Sequence, residues 1–187
     1  MDNAIESRTD EALVKLFQSD DGRRRGAFCE LYARHAGGLR AYLLRLTGTV
    51  QRAEDLTQEA FLRALEGLER FSGRSTFKTW LFAIGTNLVR DHYRRKRPMR
   101  SLADDMTAPG PGPAEEAEAD EEVRRLRAAV EKLPESQRAP LVLVRLEGMK
   151  YREAAEALGI TLAAVRMRIH RAHLALTEAL TGEGGER

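Results

Sequence analysis

The sequence predicts an all-α protein built from two small helical domains. Three observations carry this. Apolar residues recur at spacings of three and four along most of the chain, the period of a helix buried on one face. Charged residues make up 32% and aromatics 6%, a balance that suits soluble helices. One segment, ADDMTAPGPGPAEEAEADEE from Ala103 to Glu122, breaks the pattern with alternating Pro and Gly, many acids and no basic residue. Such a segment has nothing to bury and reads as an extended, flexible tether that turns helical near its end. The expected division is a first domain over 9–98, a linker over 99–120 and a second domain over 121–181.

Met1 to Arg8 read as a frayed end. Thr9 or Asp10 can cap a first helix, whose face is Leu13, Leu16 and Phe17. Asp20 to Arg25 is a polar break. A second helix carries Phe28, Leu31, Tyr32 and His35, then Leu39, Tyr42, Leu43 and Leu46, and ends at Gly48. His35 is expected at the edge of the packing, without a partner pattern. A third helix, Ala53 to Leu68, buries Leu56, Ala60, Phe61, Ala64 and Leu68. Its other side holds Asp55, Gln58, Glu59, Leu62 and Glu66. That face fits either a solvated surface or a docking face for a basic partner helix.

The stretch FSGRSTFKTWLFAIGTNLVRDHYRRKR, Phe71 to Arg97, begins as a Gly/Ser loop. It continues as a helix with the stripe Phe77, Trp80, Leu81, Ile84 and Leu88. It ends in the basic run Arg90, Arg94, Arg95, Lys96 and Arg97, stopped by Pro98. A core helix with a charged end fits this pattern. So does a nucleic-acid surface, on which arginines neutralise phosphates and aromatics stack on unpaired bases.

Beyond the linker, Val123, Leu126, Val130 and Leu133 form an amphipathic helix ending before Pro134. Glu135 to Glu147 forms another, with Leu141, Val142, Val144 and Leu146 apolar, ended by Gly148. In YREAAEALGITLAAVRMRIHRAHLAL, Ala154, Ala155 and Leu158 face inward on a short helix. Gly159 turns the chain, Ile160 packs beneath, and Thr161 caps a longer helix with Val165, Ile169 and Leu174 inward. This is the helix-turn-helix layout. Arg166, Arg168, His170 and Arg171 fall on its outer face, as a helix reading the major groove requires, although a merely basic surface helix would show the same residues.

Other classes find little support. The net charge is only +2, so the segregation of charge along the chain says more about partners than its sum. The single cysteine, Cys29, suits a reducing compartment. The start, MDNAIESRTDEAL, is polar and unlike a secretory leader, and no apolar run approaches the length that spans a bilayer. No nucleophile–base pair, phosphate-cradling glycine loop or metal-ligand cluster stands out. The chain is therefore expected to be no enzyme and to need no cofactor. A metal-dependent nuclease would have to draw its carboxylates from the linker.

Taken together, the chain resembles the extracytoplasmic-function (ECF, group IV) sigma factors of bacterial RNA polymerase from about Phe17 to Leu180. AEDLTQEAFLRA is similar to the family's polymerase-docking region. FSGRSTFKTWLFAIGTNLVRDHYRRKRP is similar to its promoter-melting and −10 region. LPESQRAPLVLVRLEGMKYREAAEALGITLAAVRMRIHRAH is similar to its −35-binding helix-turn-helix. Nothing between them resembles the extra domain of larger sigma factors. The resemblance implies a region 2 helical bundle and a region 4 helix-turn-helix joined by the acidic tether.

It further implies that Asp55, Gln58, Glu59 and Leu62 contact core polymerase. Phe71 would help hold a flipped −10 base and Asn87 would read or support it, with Arg90 and Asp91 one turn on. Trp80 would either wedge the strands apart or pack beneath that surface. Arg94, Arg95 and Arg97 would hold phosphates. Tyr151, Arg152, Arg166, Met167, Arg168, His170 and Arg171 occupy −35-facing positions. Ala163 and Ala164 replace a frequent Gly-Thr pair, Met167 a frequent serine and Arg152 a usual acid. The implied partners are core RNA polymerase, promoter DNA and an anti-sigma factor, for a cytoplasmic monomer without membrane insertion. The acidic linker, as in the family, would thread into the polymerase channel. The alternatives are a stand-alone helix-turn-helix regulator and an interaction protein that sequesters other regulators.

Overall fold

The computed structural model describes residues 3–19, 22–96 and 121–181. The described residues are helical throughout, with loops and no strand. The helices are α1 (Asn3–Glu6), α2 (Asp10–Gln18), α3 (Arg24–Thr47), α4 (Val50–Gly67), α5 (Phe77–Lys96), α6 (Glu121–Glu131), α7 (Glu135–Arg145), α8 (Tyr151–Leu158) and α9 (Leu162–Thr181). A 3₁₀ turn, Leu68–Arg70, follows α4. The linker over 99–120 lies outside the described residues, as does Arg97.

The first bundle is centred on α3, which packs against α2, α4 and α5. Leu31, Leu39, Tyr42 and Leu43 are fully buried along it. At Gly85 of α5 an added Cβ would sit 2.9 Å from Leu39 Cδ1, so glycine leaves room there for the buried Leu39 side chain of α3. The Tyr42 hydroxyl is satisfied in this core. It donates to Thr86 Oγ1 at 2.9 Å, because the Thr86 hydroxyl itself donates to Phe82 O at 2.8 Å. Burial pushes the Tyr42 hydroxyl far above its ordinary pKa.

Thr9 caps α2, its Oγ1 accepting from Ala12 N at 3.3 Å. The expected fraying does not extend over all of Met1–Arg8: Asn3–Glu6 forms the short helix α1 against α3. Ile5 packs there, close over Gly26. His35 does have a partner. Its Nε2 lies 2.6 Å from Asp10 Oδ2, and Arg34 Nη1 donates to Asp10 Oδ1 at 3.1 Å. The His35 hydrogen bond, together with the charge of His35 and Arg34, holds the Asp10 carboxyl below its ordinary pKa despite burial.

In the second bundle α9 packs against α6, α7 and α8. Leu133, Val142, Leu143, Leu158, Val165 and Ile169 are buried. Leu174 is not: it is 53% exposed. The inward row runs Val165, Ile169, Ala172 and on to half-buried Leu176. Five residues beyond Ile169 the helix has turned about 140° away from that row. Val123, Leu126 and Leu146 are likewise exposed. Arg138 of α7, by contrast, is buried, with Nη1 donating to Glu131 O at 2.7 Å. Its Nε and Nη2 have no hydrogen-bond partner among the described residues.

The bundles touch where α5 lies along α8 and α3 meets α7. Lys78 Nζ donates to Glu147 O at 2.5 Å and lies 3.6 Å from its carboxylate. Arg90 Nη2 donates to Leu158 O at 2.9 Å.

Candidate nucleic-acid interface

Between the 3₁₀ turn and α5 the chain runs irregularly from Phe71 to Thr76. Gly73 at φ 67° lets it reverse in the left-handed region. Both ends are fixed. Thr76 Oγ1 accepts from Thr79 N at 3.1 Å and starts α5. At the other end Phe71 N donates to Leu68 O at 3.2 Å. The Phe71 ring leans on Trp80, centroids 4.7 Å apart at 33°. Trp80 in turn crosses Gly67 so closely that a Cβ there would lie 3.0 Å from Cζ2. Gln18 Nε2 donates to both Leu68 O and Phe71 O at 2.9 Å.

These residues shape an open hollow of about 300 Å³ beside Phe71 and Trp80, with Arg70, Ser72, Arg74 and Ser75 around it and Glu156 of α8 at its edge. An aromatic wall, hydroxyls and guanidiniums suit a planar, hydrogen-bonding group attached to phosphate. Along α5, Trp80, Asn87, Asp91 and Arg94 fall on one stripe leading from the hollow. Asn87 is exposed, and Asp91 pairs with Arg94 at 3.0 Å. Arg90 is turned aside toward α8, where Leu158 O holds it. Arg95 continues the helix.

On α4, Asp55, Gln58, Glu59 and Leu62 are all exposed, Leu62 to 61%. Arg63 pairs with Glu59 at 2.6 Å and Arg52 approaches Asp55 at 4.0 Å. Leu65 and Tyr32 are also exposed, so α3 and α4 offer apolar side chains among acids. Acids around exposed Leu62, Leu65 and Tyr32 would complement a partner that presents basic and apolar side chains.

The helix-turn-helix forms as α8, a turn at Gly159 with φ 61°, and α9. Lys150 N donates to the Glu153 carboxylate at 2.7 Å at the start of α8. Thr161 Oγ1 accepts from Ala164 N at 3.1 Å at the start of α9. Arg166, Met167, His170 and Arg171 stand out from α9. Arg168 is set back, half-buried at the border of the packed face, and is a poorer candidate for the outer surface than the sequence pattern suggests. On α8, Arg152 is exposed and Tyr151 half-buried.

The Sigma-70 region 2 family matches residues 31–98, and Sigma-70, region 4 matches residues 123–176. The ECF RNA polymerase sigma factor EcfG of Rhodopseudomonas palustris is 37% identical, over 79% of this chain and 82% of that protein. The chain belongs to the ECF RNA polymerase sigma factors. The RNA polymerase sigma factor CarQ of Myxococcus xanthus is 33% identical over 82% of this chain and 89% of its own length. A structure of CnrH in complex with the cytosolic domain of CnrY matches with TM-score 0.69 at 30% identity, covering 92% of this chain and 97% of that one. The fold is shared with the sigma factor RpoE in complex with the anti-sigma factor NepR from Bartonella quintana, at TM-score 0.67 and 24% identity over 82% of this chain and 96% of that chain.

For this sigma factor, the hollow, the α5 stripe, the α4 face and the outer face of α9 are candidate surfaces for promoter and polymerase contacts. Sequence reasoning reaches most of their residues. It does not reach Gln18, Arg70 or Glu156. Arg70 and Arg74, as basic residues flanking an aromatic in a Gly/Ser loop, were open to it.

Proposed function

We propose that this sigma factor divides promoter recognition among the surfaces just described. Asp55, Gln58, Glu59 and Leu62 on α4 dock on core RNA polymerase. The hollow beside Phe71 takes a base flipped out of the −10 duplex, Asn87 contacts it, and Arg94, Arg95 and Arg97 hold the flanking phosphates. Trp80 acts beneath the site by bracing Phe71. Tyr151, Arg152, Arg166, Met167, Arg168, His170 and Arg171 serve the −35 duplex, with Arg166, His170 and Arg171 nearest the bases. The working units are 9–98 and 121–181, tethered through 99–120.

The observation that carries this reading is the braced Phe71–Trp80 hollow, ringed by Arg70 and Arg74 and continuous with the Asn87–Arg94 stripe. Unpairing a base costs a few kcal/mol. Stacking on an aromatic returns about 1–3 kcal/mol per base, and phosphate contacts add a salt-sensitive share. Each small domain alone binds weakly. Joined on the polymerase, they raise each other's effective concentration. The chain thus acts by binding, in the cytoplasm with polymerase, and the polymerase supplies the chemistry. No helix among the described residues is long and apolar enough to cross a membrane. The structure of CnrH in complex with the cytosolic domain of CnrY supports a protein partner of the anti-sigma kind for this chain too.

The test is run-off transcription with sigma-free core polymerase on promoter fragments. Phe71→Ala should leave −35 duplex binding intact and suppress open-complex formation on duplex promoter. Equal loss of both would argue against the assignment. A stand-alone regulator has no use for the Phe71 hollow and would give no transcript.

A further inference from the structure

We infer that Gln18, on α2, is a positioning residue for base capture: it sets the direction in which the chain leaves Phe71 and so the shape of the hollow. The inference rests on the reading of the Phe71 hollow given above. Gln18 lies outside the loop, 53 residues before Phe71. Its Nε2 donates at 2.9 Å to Leu68 O, which closes the 3₁₀ turn, and at 2.9 Å to Phe71 O, which opens the loop. Both contacts are carbonyl oxygens, so the amide nitrogen and not the amide oxygen must face them. Fixing the Phe71 carbonyl fixes the peptide plane between Phe71 and Ser72. That plane aims the following residues, Ser72 to Ser75, around the hollow.

The base from which Gln18 reaches is firm. Leu16 and Phe17 are buried beside it, the Ser19 hydroxyl donates to Leu16 O at 2.8 Å, and Arg24 both covers the Phe17 ring and pairs with Glu69 of the 3₁₀ turn. The chemistry is selective. A glutamate here would set a carboxylate against two carbonyls. Methionine keeps the length and loses both donors. Lysine keeps the reach and the donors. When the amide is removed, Leu68 O still accepts from Phe71 N and water can reach Phe71 O beside the exposed Gln18, so the bundle survives while the loop loses its fixed geometry.

The experiment uses holoenzyme assembled from core polymerase and the full chain. It measures affinity for a single-stranded −10 oligonucleotide and for a set in which each position in turn is abasic. The position whose removal weakens wild-type binding most marks the captured base, and the ratio of intact to abasic affinity is the capture increment. Gln18→Met should lower that increment about tenfold. It should leave the affinity for the abasic strand, the affinity for core polymerase and the thermal midpoint unchanged, and Gln18→Lys should restore most of the increment. An undiminished increment in Gln18→Met, with Phe71→Ala losing it, would overturn the inference alone. Equal weakening of intact and abasic strands by Gln18→Met would overturn it as well, by showing a general defect. No change in Phe71→Ala would instead overturn the reading of the hollow on which it rests.

Discussion

At the scale of single residues, the contacts that hold this chain together join positions far apart in sequence. Asp10 meets His35 across 25 residues, at 2.6 Å, and its carboxyl is held below the ordinary value of 3.8. Because the folded carboxyl is the stronger acid, its contribution to stability is complete above that ordinary value. It is lost as the pH falls through the lower, folded-state value. Asp10→Asn is therefore expected to cost about 1 kcal/mol at neutral pH and nothing in strong acid, read by urea unfolding at several pH values. A cost that persists unchanged at low pH would assign the effect to packing. Helical spacing correctly placed His35 at the edge of the core, but period says nothing of what a side chain meets on another helix. Arg138 shows the same gap: it is a charged residue that the pattern cannot distinguish from a surface arginine, yet it is buried.

At the scale of elements, sequence period was most informative where one face is fully covered. The inward row of α4, most of that of α3, and Val165 and Ile169 of α9 stand where the pattern put them, while Tyr32, placed on the inward row of α3, is 44% exposed. The pattern failed at two further kinds of position. Leu174 is apolar but lies off the inward row that runs through Ala172 to Leu176, and Val123 and Leu126 lie on a helix with little packed over it. The turn signals were equally legible, since Gly48 and Gly159 both take left-handed backbone that other residues rarely adopt. The same scale governs the α9 surface. Arg166 is exposed on α9, so Arg166→Ala should shift the thermal midpoint by no more than about 2–4 °C. If Arg166 reads a base edge, the change weakens −35 duplex binding by about 1–3 kcal/mol and relaxes sequence preference at one position. If it holds a phosphate, binding falls evenly across sequences and the salt slope drops by about one. Duplex titrations at several salt concentrations separate the two.

At the scale of the whole molecule, the surfaces proposed to face the promoter are not independent. Glu156 of α8 borders the Phe71 hollow, and Leu158 O of the same helix holds Arg90 aside. An acid at the edge of a site for a phosphate-linked base opposes binding. In the free chain Glu156→Ala should therefore strengthen binding of a single-stranded −10 oligonucleotide a few-fold at low salt, an advantage that fades as salt screens the charge. Unchanged affinity would show that α8 leaves the hollow before DNA arrives. The Lys78–Glu147 contact joins residues 69 apart in the chain, which no local pattern could announce. Family resemblance implies separate roles for the two halves, and the folded chain shows how α5 lies along α8.

The most direct measurement is run-off transcription with sigma-free core polymerase on a set of promoter fragments, comparing the wild-type chain with Phe71→Ala and with the double reversal Asp55→Lys/Glu59→Lys. The account predicts discrete promoter-dependent transcripts from the wild type. The double reversal should lose them together with core binding, and Phe71→Ala should lose them while still bound to core. Sequence-specific duplex binding by the wild type with no transcript from any fragment would contradict it.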